Sequence, residues 1–162
     1  MAVECLASLI VAAYQRPEVF ELVLASIERQ TAHGFEVVIA DDGSAPDVAA
    51  LAREWSVRAG RPLQHVWQEN CGFRKTTIAN RAVAHANGRY LVFIDGDCIL
   101  HHRFIERHLE RSRHGRALSG RRVMLDEEIT RQLTAEDIRS GRLEKSSTWW
   151  THTPALDRRN GL

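Results

Sequence analysis

Apolar residues along this chain come in short runs that alternate with stretches of helical spacing. Leu6 to Tyr14 is apolar on both faces, as a strand of a parallel sheet covered by helices should be. Pro17 follows, a residue that can open a helix but cannot continue a central strand. Val19, Phe20, Val23, Leu24 and Ile27 then recur at helical spacing, which predicts a helix from Pro17 to about Gln30. Phe35 to Ala40 is a second strand and runs into Asp41-Asp42-Gly43-Ser44. Pro46 and Asp47 open a second helix with Val48, Leu51, Ala52 and Trp55 inward. Gly60 and Pro62 punctuate before a third strand, Leu63 to Trp67. A polar loop, Gln68 to Gly72, leads into a helix from about Phe73 to Ala86. The fourth strand, Leu91 to Ile94, stops on Asp95-Gly96-Asp97. A helix with Phe104, Ile105, His108 and Leu109 on one face comes next. Beyond it the pattern predicts a fifth strand at Ala117 to Leu125 and a short helix at Ala135 to Arg139. From Ser146 to Leu162 there is no clear periodicity.

Strands alternating with helices over short connections imply an α/β domain with a mostly parallel sheet and right-handed crossovers. Ligands of such sheets bind outside the carboxyl ends of the strands. Here each of four successive strand ends carries groups capable of chemistry: Tyr14-Gln15-Arg16, Asp41-Asp42, Asn70 to Lys75, and Asp95-Gly96-Asp97. An isolated Asp-Gly-Asp is often just a turn whose aspartates cap a helix. Its place as the fourth of four polar strand ends is what points to a nucleotide and metal site.

Composition narrows the classes. At 162 residues the chain is expected to form one domain with a real core, and its 44% hydrophobic and 27% charged contents are ordinary for a globular protein. A formal net charge of +1 implies no general polyanion surface, so nucleic acid is not an expected partner. Arginines do gather between Arg103 and Arg122, against Glu106 and Glu110. That cluster is either a solvated helix face or a patch facing phosphate or a membrane surface. Cys5, Cys71 and Cys98 show no C-x-x-C spacing, so neither a disulfide framework nor a zinc site is suggested and a reducing compartment fits. The first apolar run is too short to cross a bilayer and follows Glu4 rather than a basic region. The expectation is a cytoplasmic protein, peripheral at most to the inner membrane face.

The candidate chemistry follows from residue type. Side chains two apart on an extended backbone point the same way, so Asp95 and Asp97 can face one point, with Gly96 letting the backbone come close. Two converging carboxylates favour a hard divalent ion, and Mg²⁺ or Mn²⁺ typically takes one or two carboxylates plus substrate phosphates. Asp42 can accept a hydrogen bond from a base imide or a ribose hydroxyl, and Tyr14 offers a face for the base. Arg74 and Lys75, at a helix start, bring cations to a diphosphate that the helix N-terminus also favours. A metal on Asp95 and Asp97 would stabilise a departing nucleoside diphosphate as a Lewis acid.

These pieces resemble the nucleotide-binding half of a family 2 glycosyltransferase of GT-A fold, a Rossmann-like three-layer sandwich. The matching stretches are Leu9 to Pro17, Val38 to Ser44, Asn70 to Lys75 with Ala79-Asn80, and Tyr90 to Asp97, in the family's order and together spanning residues 6–125. The resemblance implies a nucleotide-sugar donor, UDP foremost, bound by Ala13, Tyr14, Arg16, Asp42, Arg74, Lys75, Asn80, Asp95 and Gly96. Asp97 would bind Mn²⁺ or Mg²⁺ directly, with Asp95 beside it, and Asp41 would be structural or ribose-facing. It further implies inverting transfer to a hydroxyl of a glycan or lipid-linked acceptor. The family's catalytic base belongs to a later segment that has no match here. Asp126, Glu127 and Glu128 fall too early for it. The expected fold is therefore a truncated GT-A domain over residues 1–162 with a tail from residue 126. Its second half is either missing or supplied by another chain, and the exposed acceptor side would favour self-association. The alternative is a nucleotide-sugar-binding fragment or subunit without turnover. His101 and His102 read as polar residues of a helix start in preference to metal ligands, and Cys98 as a small core residue. Trp149-Trp150 could line a sugar site or mark an uncovered apolar patch.

Overall fold

The computed structural model describes residues 5–145. Four strands, β1 (Ala7–Ala13), β2 (Phe35–Asp41), β3 (Leu63–Trp67) and β4 (Tyr90–Asp95), form one sheet in the order β3-β2-β1-β4. Every pairing is parallel. The helices α1 (Pro17–Glu28), α2 (Pro46–Ala59) and α3 (Lys75–His85) are the crossovers, and α4 (Phe104–Arg111) follows β4. This is the α/β sandwich that the alternation of patterns implies.

The two faces of β1 and β2 fill separate cores, which is why both strands are apolar throughout. Leu9, Val11, Val37, Ile39 and Val92 pack with Phe20, Val23, Leu24 and Ile27 of α1 and with Val48, Ala52 and Trp55 of α2. Trp55 is fully buried, and its indole N–H donates to the Leu24 carbonyl at 3.0 Å, so its polar atom is satisfied. On the opposite face Ile10, Val38 and Ala40 pack against Ile78 and Ala82 of α3. Pro17 and Pro46 stand at the first positions of α1 and α2, where a missing N–H costs nothing.

Three short helices complete the described chain: α5 (Glu127–Gln132), α6 (Ala135–Arg139) and α7 (Arg142–Lys145). Ile129 and Ile138 from them, with Leu133 just after α5, close over Leu22 and Ala25 on the outer side of α1. Ion pairs fasten the same contact: Arg139 donates to Glu28 at 2.9 Å, and Arg29 holds Glu144 through two bonds at 2.9 and 3.0 Å.

One expected element is absent. Residues 117–125 form no strand; the segment is irregular, with Val123 and Met124 40% and 73% exposed. A strand needs a ladder partner, and this segment crosses near the carboxyl end of β4, where Arg122 approaches Asp95 at 3.9 Å, without pairing along its edge. The acidic cluster after it also has a structural role. Asp126 caps α5 by accepting from the Glu128 N–H at 2.8 Å, and Glu127 pairs with Arg131. The expected helix at Ala135–Arg139 is α6, opened by a capping box of Thr134 and Asp137. Among the described residues no helix is long and apolar enough to cross a membrane. Trp149 and Trp150 lie outside the described residues.

Candidate functional site

Parallel pairing puts all four strand ends on one edge of the sheet. Ala13 is level with Asp41 across one ladder, and Ala12 with Asp95 across the other. The Asp42 N–H donates to the Ala13 carbonyl at 3.0 Å and the Gly96 N–H to the Ala12 carbonyl at 2.8 Å, so β2 and β4 are both fixed to the end of β1. A Cβ on Gly96 would lie 2.8 Å from that carbonyl oxygen. Close approach to β1, not an unusual dihedral, is what requires glycine there.

The turn after β1 carries backbone strain. Gln15 and Arg16 both adopt left-handed φ, 53° and 56°, which non-glycine residues seldom do. Two bonds across to the end of β2 hold it: the Gln15 N–H to Ser44 Oγ at 2.8 Å and the Gln15 side chain to the Gly43 carbonyl. Strain of this kind is kept where surrounding contacts over-determine the geometry, often at ligand sites.

Asp41 and Asp42 have different surroundings. Asp41 is fully buried and accepts from His65 Nε2 at 2.9 Å and from the Ser44 N–H at 2.8 Å. Burial pushes its carboxyl upward, but these hydrogen bonds outweigh that and hold it below its ordinary value. It is a brace for the turn. Asp42 faces the loop after β3, accepting from Gln68 Nε2 at 2.5 Å and from the Arg74 N–H at 2.7 Å. Gln68 is 3% exposed, and its Oε1 is a buried acceptor with no donor among the described residues. Asn70 donates to the Tyr14 hydroxyl at 3.3 Å, leaving Tyr14 about half exposed. Ser44, His65, Gln68 and Asn70 thus support the site; a place beyond a strand end was the signal for Ser44, Gln68 and Asn70, while His65, inside β3, carried none.

At the end of β4 the carboxylates divide their roles. Lys75 Nζ forms an ion pair with Asp95 Oδ1, and Arg122 lies 3.9 Å from its other oxygen. Asp97 has no ion-pair partner among the described residues. Ligand atoms of Asp95, Asp97 and Cys98 lie within 4.8 Å of one another. The donor set that would fit Mg²⁺ or Mn²⁺ is Asp97 with Asp95. A thiol is a soft donor and a poor match for a hard ion, so Cys98 does not belong to that set.

Tyr14, Asp42, Arg74, Lys75, Asp95 and Asp97 come together at this edge, with Ala13 and Gly96 contributing backbone. Arg16 stands beside it, mostly exposed and 3.5 Å from Glu18. Asn80 is exposed on α3 and its side chain makes no hydrogen bond among the described residues, so no contact ties it to the group. Ligand atoms of His101, His102 and Glu144 also come within 4.8 Å of one another. Both oxygens of that carboxylate are already taken: Arg29 grips them, and His102 donates its backbone N–H at 2.9 Å and meets it through Nδ1 at 2.6 Å. This is a structural clamp.

The model of "Glycosyl transferase family 2" matches residues 8–159. The chain belongs to this family. It is 32% identical over 90 residues to the putative glycosyltransferase EpsH of Bacillus subtilis, a match covering 56% of this chain and 25% of that protein. Among solved structures it resembles S. aureus TarS residues 1–349 with UDP-GlcNAc, at a TM-score of 0.57 and 20% identity, over 71% of this chain and 37% of that one. It also resembles a mannosyltransferase of Pyrobaculum calidifontis in complex with GDP-Man and Mn²⁺. There the TM-score is 0.52 and the identity 26%, over 59% of this chain and 28% of that one. The matches thus cover between about a quarter and somewhat over a third of the length of these three chains. The parallel sheet and its flanking helices are the GT-A arrangement of these relatives.

Proposed function

We propose that this edge binds a nucleoside diphosphate sugar, with UDP as the favoured nucleotide, and that the protein transfers the sugar to an acceptor hydroxyl with inversion. The observation that carries the reading is the convergence of Tyr14, Asp42, Lys75, Asp95 and Asp97 at four strand ends. Tyr14 presents its ring to the base, and Asp42, nearly buried with one bond accepted on each oxygen from Gln68 and Arg74, offers its remaining acceptor capacity to base or ribose. Lys75 is placed for the diphosphate once Asp95 releases it. Asp97 and Asp95 would hold Mn²⁺ or Mg²⁺, which supplies charge neutralisation at the leaving diphosphate. UDP-GlcNAc in TarS supports UDP, and the mannosyltransferase with GDP-Man and Mn²⁺ supports metal use while keeping GDP as the nucleotide to exclude.

In the transfer, the bond from the anomeric carbon to the diphosphate breaks, the bond to the acceptor oxygen forms on the opposite face, and the hydroxyl proton goes to a base. Such a base must lie within hydrogen-bond reach of the hydroxyl. The carboxylates on the pocket beside this edge are Asp97 and Glu144. Asp97 is reserved for the metal and Glu144 is clamped by Arg29 and His102. That observation favours, as a second reading, a donor-binding unit whose base comes from elsewhere.

The test is a thermal-shift titration with UDP, GDP, dTDP and CDP, each with Mn²⁺ and with EDTA. Stabilisation by UDP that needs Mn²⁺ and disappears in Asp97→Ala is expected. Equal stabilisation in EDTA would sink the metal assignment, and a response to GDP alone would sink the uridine one. Sugar transfer by this chain alone would eliminate the second reading.

A further inference from the structure

At the edge of the sheet opposite the donor groups, where the strands begin, α1, α2 and α6 border a cleft of ≈ 490 Å³. Glu21 and Glu28 of α1, Arg58 and Ala59 at the end of α2, Arg61 before β3 and Arg139 of α6 line it. Arginines outnumber glutamates here, and the glutamates are already engaged. One oxygen of Glu28 accepts from Arg58 Nη2 at 2.8 Å and the other from Arg139 Nε at 2.9 Å. Glu21 lies 4.0 Å from Arg139 Nη2.

Arg61 is the cation left over. Its guanidinium carbon lies 4.1 Å from the centre of the Phe35 ring, and its side chain makes no hydrogen bond or ion pair among the described residues. The end of α2 fixes its place. Gly60 turns the chain with a left-handed φ of 57°, the Arg61 N–H donates to the Ser56 carbonyl at 3.3 Å, and the Arg61 carbonyl accepts from Ser56 Oγ at 2.9 Å. Burial pushes this guanidinium below its ordinary value, and no partner offsets the shift. A cation drawn partly out of water without a counterion is unfavourable, so an anion brought to it recovers free energy. Arg58, three residues earlier and half exposed, uses Nε and Nη2 on Glu28 and has no hydrogen bond on Nη1 among the described residues. Two guanidinium groups with unused N–H donors suit the several oxygens of a phosphate.

We propose that Arg61 and Arg58 form a binding site for a phosphate dianion, free or carried on a small molecule. Glu28, with both oxygens held by arginines, does not compete for Arg61. A ligand in this cleft meets none of the groups at the donor edge. It is therefore an effector and not a substrate, one that fastens the end of α2 and, through the Glu28 bridge, α6. The site stands independently of the donor reading.

The test titrates the full chain with inorganic phosphate, glycerol 3-phosphate and glycerol, in EDTA at constant ionic strength, by calorimetry and by NMR of the arginine Nε–H signals. Saturable binding of both phosphates, none of glycerol, and a shift of the Arg61 signal are expected. Arg61→Gln should weaken phosphate binding at least about tenfold, as loss of a charge-assisted pair would. Arg61→Lys, which keeps the charge and a stem over Phe35 but loses the paired donors, should weaken it by less. Melting temperatures without phosphate check that both variants fold, and the NMR shift needs no variant. Tighter binding of glycerol 3-phosphate would support the site and assign it to a phosphorylated small molecule. Tighter binding of inorganic phosphate would support it and assign the free ion. Absence of saturation, binding unchanged in both variants, or glycerol binding as well as its phosphate would overturn it. Displacement of phosphate by UDP with Mg²⁺ would place the phosphate at the donor edge and also overturn it. Arg61-dependent phosphate binding in a protein that shows no response to UDP would remove the donor reading and support this site.

Discussion

Asp42 holds two hydrogen bonds on its carboxylate before any ligand arrives, from Gln68 Nε2 and the Arg74 N–H. Asn in its place would put an amide N–H₂ against one of those donors, losing one bond and leaving a buried donor unpaired. Asp42→Asn is expected to cost about 1–3 kcal/mol of stability and to diminish the UDP-dependent thermal shift. Retention of both would show that the carboxylate neither organises the loop nor meets the nucleotide. Gly96 is constrained differently, by the Ala12 carbonyl oxygen 2.8 Å from where a Cβ would stand. Gly96→Ala should cost roughly 1–3 kcal/mol through this overlap, measurable by denaturant unfolding, and an unchanged midpoint would mean that β4 can shift away from β1. The carboxylates at the strand ends were legible as chemistry from the sequence because they belong to a series of four polar strand ends; a single acidic pair is often only a turn. Which of two neighbouring aspartates braces the turn came only from the family resemblance, which left Asp41 structural or ribose-facing. Asp41 and Asp42 differ only in which way each side chain leaves the end of β2, and only the fold sets His65 against one and Gln68 against the other.

At the scale of elements, the last helices are fixed to α1 by the clamp of Glu144 with Arg29 and His102. Burial raises the Glu144 carboxyl, but the bonds from Arg29 and His102 outweigh it and carry it from 4.5 to about 2. A carboxyl depressed in the folded state contributes stability that is complete above its unfolded value and is lost as pH falls through the folded one. The contribution of this clamp is therefore present above about pH 4.5 and declines toward pH 2. Glu144→Gln should lower stability at neutral pH and flatten the acid limb between those values. Parallel acid limbs in urea unfolding of the two proteins would refute the linkage. The clamp could not be read from the sequence, since it joins residues 115 positions apart. The fifth strand failed for a related reason. Residues 117–125 carry a strand-like mixture of apolar and polar positions, but strand formation depends on an available edge in the right direction, which no local pattern encodes.

For the whole molecule, protection should follow the sheet. Hydrogen exchange is expected to be slowest at the buried amides of β1 and β2, both paired on two sides, and fast across 112–126, which is largely exposed and without a ladder. Slow exchange at 117–125 would mean that this segment pairs after all. The sequence by itself determined the order of the four strands and of the helices up to α4, the parallel sheet and the edge on which the polar groups gather. Apolar periodicity and proline placement are local signals, and parallel connection forces the strand ends to one side. Tertiary structure alone set the contacts within that edge. Asp95 is neutralised by Lys75 while Asp97 stays open, and Asp41 is internal while Asp42 faces the loop. These depend on distances between residues far apart in the chain, and electrostatic and packing energies are fixed by such distances, not by spacing along the sequence.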